Sequence, residues 1–175
     1  MALTKLNYTG QGVLPHSKMP SGSVLQVLNT IKTDTFEYTG TAQTDITGLS
    51  VTITPKFATS KILITFNVHI TGDDAGTGLQ LFRGSTALGT ADTASSRMIY
   101  TVIGDYSPTD DAMHYSGGNQ SMTFLDSPNT TSATIYKIKG QVLSSGFRVN
   151  KTRYDTDNGN SSRGISTITA TEIAA

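Results

Sequence analysis

The sequence has no cysteine and no tryptophan, and only 15% of its 175 residues are charged. The lack of cysteine excludes disulfides, a catalytic thiol, iron–sulfur clusters and thiolate zinc sites, and says nothing of compartment. Thirteen Lys and Arg balance thirteen Asp and Glu, which removes the field that drives nucleic-acid or polybasic membrane binding. No apolar run approaches the about 18 residues of a membrane span, and the first ten residues hold no signal-peptide core. The expectation is a chain that is neither inserted in a membrane nor exported by a recognisable leader. Helical periodicity is missing too, because Thr, Ser and Gly interrupt every window in which apolar residues could recur at i, i+3, i+4 and i+7.

What is present is threonine and serine, 29 and 18 residues, with 17 glycines. That is a composition for strands and turns. The length suits one domain burying roughly 70% of its unfolded surface. In Lys61–Ile70, residues Ile62, Ile64, Phe66, Val68 and Ile70 fall on one side and Lys61, Thr65, Asn67 and His69 on the other, the alternation of a half-buried strand. Further strands are predicted over Val24–Leu28, Thr33–Thr39, Leu49–Thr54, Gly78–Phe82, Arg97–Ile103, Ser121–Leu125, Ala133–Val142, Gly146–Asn150 and Ile165–Ile173. Turn clusters such as Gly84–Gly89 and Asp126–Asn129 separate them. The pattern predicts an all-β fold, an antiparallel β-sandwich of jelly-roll type over residues 23–175. Residues 1–22 have Gly and Pro at irregular intervals, with Leu3, Leu6, Tyr8, Val13 and Leu14 in no periodic order. They read as an extended arm that docks on a neighbour rather than as a solvated tail.

Two long polar segments, Gly104–Gln120 and Lys151–Gly164, are the candidate recognition loops. Tyr106, Tyr115 and Tyr154, beside Asp110, His114 and Asp155, offer aromatic faces and hydrogen-bonding groups of the kind that bind sugar rings, or that meet another subunit. Asp110, Asp111 and His114 have the residue types of a metal site, but Asp after Ser107-Pro108 is equally a turn former. Asp155–Asn160 begins like a calcium loop, yet Ser166 stands where the bidentate Glu belongs. No Gly-x-Ser-x-Gly elbow, phosphate loop or dinucleotide fingerprint occurs, and His16, His69 and His114 are the only imidazoles. The expectation is therefore no enzyme, no cofactor and no resident metal.

The segments Met1-Ala-Leu-Thr-Lys-Leu-Asn-Tyr-Thr-Gly-Gln-Gly, Met19-Pro-Ser-Gly-Ser-Val-Leu-Gln-Val, Thr47-Gly-Leu-Ser-Val-Thr-Ile-Thr-Pro, Thr59-Ser-Lys-Ile-Leu, Phe124-Leu-Asp-Ser-Pro and Ser166-Thr-Ile-Thr-Ala-Thr-Glu-Ile, in that order, resemble small virion structural proteins, decoration or fibre-like, of tailed phages of cyanobacteria and marine bacteria. The resemblance spans nearly the whole chain and brings no catalytic residue with it. It implies a component of the particle, at a position the resemblance leaves open; the expected location is the particle surface. Exposed sheet edges are commonly covered by cyclic assembly, so the partners expected are two further copies in a homotrimer, together with the major capsid protein or other virion proteins. The leading expectation is a head decoration or cement protein attached through its arm. The rival is a short tail fibre or receptor-binding tip whose loops meet host surface glycan, and a glycan hydrolase is the third.

Overall fold

A computed structural model describes residues 15–72, 76–93, 95–104 and 117–175. Eleven strands are found among them: β1 (Val24–Lys32), β2 (Phe36–Tyr38), β3 (Thr44–Ile53), β4 (Lys61–Gly72), β5 (Gly78–Arg83), β6 (Thr86–Leu88), β7 (Val102–Ile103), β8 (Gly118–Asp126), β9 (Thr134–Gln141), β10 (Phe147–Val149) and β11 (Ser166–Ile173). The one helical element among the described residues is a single 3-10 turn, His16–Lys18.

The strands form two antiparallel sheets. The first runs β1-β11-β4-β8, with β2 and β10 continuing it beyond the end of β11; the second runs β3-β9-β5-β6, with β7 also on β5. From β2 to β5 the chain changes sheet at every step, and again from β7 to β10. This order, four main strands per sheet with long-range neighbours such as β1 beside β11 and β3 beside β9, is the jelly roll. The expected fold class is what the chain adopts.

Period two explains the layers. Ile62, Ile64, Phe66, Val68 and Ile70 of β4 are 0–1% exposed and meet Leu79, Leu81, Tyr136 and Ile138 of the second sheet. Alternate residues point outward, and the register aligns them in rows across the first sheet. Val27, Thr171, Leu63 and Leu125 form one row, Asn29, Thr169, Thr65 and Thr123 the next, and Ile31, Thr167, Asn67 and Ser121 a third. Two glycines let the layers close. A Cβ on Gly140 would run into the Phe147 ring, and one on Gly78 into the Tyr100 ring. Phe147 in turn packs against Phe36 and Tyr38, which fastens β2 to the core.

Besides longer reaches of β1, to Lys32, and of β3, from Thr44, three segments differ from the sequence expectation. Thr33–Thr39 narrows to β2, because the chain has to turn out of β1 before it can meet β10. Gly84–Gly89, expected as a turn, holds β6: Gly84 (φ 58°) and Gly89 (φ 57°) bracket a three-residue strand that pairs back on β5. Since β6 takes that edge of β5 from Leu81 to Arg83, only Val102–Ile103 of the expected strand Arg97–Ile103 finds a partner, at Gly78 and Leu79.

Candidate functional site

The loop between β10 and β11 is built from its neck outward. Asn150 sits at φ 63°, a left-handed conformation that asparagine tolerates better than most residues. Its buried side chain donates to the carbonyls of Lys32 and Asp34, both at 2.9 Å, and accepts from Ser166 Oγ at 2.6 Å; that hydroxyl accepts from the His69 amide at 3.0 Å. This joins the end of β1, the neck of the loop, β11 and β4 with every polar atom of the amide engaged. A bridge between Lys151 and Arg163 closes the neck, and the Gly164 amide donates to the Asn150 carbonyl.

Beyond the neck, Thr152 Oγ1 and Ser161 Oγ both donate to the Tyr154 carbonyl, each at 2.8 Å, and the Asn158 side chain holds the Asn158-Gly159 turn by accepting from the Asn160 amide and donating to Thr156 Oγ1. Arg163 grips Asp155 with two bonds of 2.8 and 2.7 Å. Lys151 lies 3.9 Å from the same carboxylate and 2.8 Å from Glu37, which also binds Arg148 at 2.9 Å. The Lys151 bond and the nearby cations outweigh partial desolvation and hold the Glu37 carboxyl below its usual range. Asp155, expected as a contact residue, is thus an internal strut of the loop, while Tyr154 is 39% exposed beside it. Asp155, Thr156, Asp157, Asn158, Ser161 and Arg163 line an open polar pocket of about 320 Å³. This geometry suits hydrogen-bonded recognition of a polar surface. The Asp155–Asn160 stretch is an Asn-Gly turn locked by its own side chains, with Arg163 occupying the carboxylate that a cation would need.

The other expected loop residues, Tyr106, Asp110, His114 and Tyr115, lie outside the described residues, as do the arm residues Leu3, Leu6, Tyr8, Val13 and Leu14. The described root of the arm is pinned to the far end of the sandwich. The Gly22 amide donates to the Ala174 carbonyl at 2.7 Å, and the Ala174 amide to the Ser23 carbonyl at 2.9 Å. A second pocket of about 210 Å³ opens there, lined by His16, Ser17, Met19, Phe57, Thr59 and the last two alanines.

His69, read from sequence as a sheet-surface residue, is half-buried between Gly117 and Gly164. Desolvation lowers its pKa, and its buried Nδ1 has no hydrogen-bond partner among the described residues. No group of three His, Cys, Asp or Glu side chains that could hold a metal is found among the described residues. Sequence reasoning missed the outer face of the first sheet, which carries exposed Val27, Ile31 and Leu125. The signal was there in β1, where Val24, Leu25, Val27, Leu28 and Ile31 break a clean alternation and place apolar residues on both sides of one strand.

No family model and no curated protein matches the chain. Among solved structures, a chain from the structure of the Gx strain of infectious bursal disease virus is similar, at 16% identity and a TM-score of 0.40 over 94% of this chain. This chain spans 41% of the length of that one. The jelly-roll assignment stands on the strand order itself.

Proposed function

We propose that this protein is a structural component of a tailed-phage virion, a homotrimer that decorates the surface of the head and is held there by the arm formed by residues 1–22. The observation that carries the reading is the pinning of the arm root to β1 and to the end of β11. A pull on the arm enters the body at Gly22 and Ser23 and passes into β1, which is paired with β11 from Val24↔Ile173 to Lys32↔Ser166. β11 is paired in turn with β4. Antiparallel ladder bonds lie perpendicular to their strands, so a load along β1 is shared by the whole ladder at once. That is what a cement protein on a pressurised shell requires. The sequence resemblance to phage virion proteins supports the same reading, and several weak arm contacts on a repeating lattice add through effective concentration.

The test removes residues 1–14, which leaves the bonds at Gly22 and Ser23 in place. The truncated protein is expected to keep the β circular dichroism of the full chain and to lose binding to expanded, decoration-free heads in a co-sedimentation assay. Undiminished binding would overturn the proposal.

A second reading, a receptor-binding tip on a short tail fibre, is favoured by the exposed Tyr154 beside the polar pocket of the β10–β11 loop. It expects Tyr154→Ala to lower adsorption of particles to host cells at least several-fold with assembly intact, since stacking of a ring is worth about 1–3 kcal/mol. Unchanged adsorption removes it.

A further inference from the structure

Of the ten large hydrophobic residues most exposed among the described ones, four belong to one surface. Val24, Val27, Ile31 and Leu125, each 54–58% exposed, all lie on the outward side of the sheet β1-β11-β4-β8. The three central rows of that face contain no charged side chain. Lys61, bonded to Ser127 Oγ, and His69 stand only at its two ends. The outward side of the other sheet is the opposite case, with Lys137 and Lys139 paired to Asp45, and Lys139 placed over the Phe82 ring.

The polar groups of the middle row of this face are also occupied sideways. Asn29 Nδ2 donates to Thr169 Oγ1 at 2.6 Å, and Thr65 Oγ1 and Thr123 Oγ1 lie 3.3 Å apart. Covering the middle row therefore strips water from groups already paired, and desolvating neutral hydroxyls and amides costs far less than desolvating ions.

We infer that this face turns toward the symmetry axis and packs against the same face of other copies of the chain. The inference rests on the trimer reading above and deepens it. At a rotation axis each side chain meets its own copies, so a charged residue would meet like charge, whereas a hydroxyl, being donor and acceptor, can bond its own kind. Of the two outward sheet faces, only this one meets that condition. Four strands about 4.8 Å apart and eight residues rising about 3.3 Å each give a footprint of about 500 Å² per copy; three copies together cover about 1,500 Å², the area of one specific two-partner interface shared among three contacts, so the arm has to add to the hold of this face.

The experiment measures solution mass by sedimentation velocity for the full chain, for Thr169→Lys and Leu125→Lys on different strands of the face, and for Thr52→Lys on the outward side of the other sheet. All three residues point to solvent, and circular dichroism checks that each variant keeps its sheets. The expected result is a trimer for the parent and for Thr52→Lys, and a monomer for both face variants with unchanged dichroism. A parent trimer that survives both face substitutions overturns the face assignment and leaves the trimer standing. A parent dimer that the face variants split supports the face and overturns the threefold arrangement. A parent monomer overturns both and leaves the face to a different protein.

Discussion

Glu172 is a wholly buried carboxylate on β11, and the groups that bond it, a side-chain amide and a backbone amide, carry no charge. It accepts from Gln26 Nε2 at 2.5 Å and from the Lys56 backbone amide at 2.6 Å, and so ties the β3–β4 connection to the first sheet. Burial pushes its pKa up, but the polar groups around the carboxylate, Ser60 and Gln26 ahead of the amides of Lys56 and Phe57, outweigh burial and leave it below the usual glutamate range. A carboxyl depressed in the folded state stabilises the protein fully above its unfolded pKa, and that contribution fades as pH falls through the folded value. Glu172→Gln is therefore expected to cost about 1–3 kcal/mol at neutral pH, with the gap to the parent closing below about pH 4. Urea unfolding of both proteins at neutral and acid pH measures it, and a gap of constant size would contradict the assignment. Glu172 shows what a sequence gives at this scale: alternation with Ile168 and Ala170 places it on the inward side of its strand, but its donors come from residues over a hundred positions away, beyond the reach of local pattern.

Elements were legible where a strand has one wet side, as in β4, and obscure where side chains replace backbone pairing. The edge of β5 is the clearest case. Its Leu81 amide donates to Thr101 Oγ1 at 2.9 Å, while the same hydroxyl donates to the Leu88 carbonyl at 3.0 Å and accepts from Gln80 Nε2 at 2.8 Å. One threonine thus fills the gap between β6 and β7, where a continuous strand was expected. Arg97–Ile103 carries the β-branched and aromatic residues of a strand, but part of its bonding runs through a hydroxyl that no period can reveal. Thr101→Val keeps the shape and removes the oxygen, leaving the Leu81 amide, the Leu88 carbonyl and the Gln80 side chain with fewer partners, at an expected cost of about 1–3 kcal/mol. The loss should be local before it is global. Amide exchange at Leu81 is expected to accelerate well beyond that at Ile64 or Phe66 in the central strand, and equal acceleration at all three would assign the bond to global stability alone.

For the molecule as a whole, the jelly roll was readable because number of strands, turn spacing and absence of helix agree with one another. The difference between its two outward faces was not, since it emerges only when register sets Thr171 beside Leu63 and Leu63 beside Leu125. That difference has a consequence for assembly. An interface formed by the charged face, with its Lys137, Lys139 and Asp45, would depend on ionic strength, because exposed charges are screened over about 10 Å at about 0.1 M salt. An interface formed by Val27, Ile31, Leu125 and the threonine rows has no such charges to screen; its strength comes from apolar burial, which weakens on cooling. Self-association of the full chain is therefore expected to change less than about threefold in dissociation constant between about 0.05 and about 0.5 M sodium chloride, and to weaken between room temperature and the cold. Sedimentation equilibrium across that salt and temperature grid separates the two faces without any substitution. A dissociation constant that rises steeply with salt would place the contact on the lysine-bearing sheet instead.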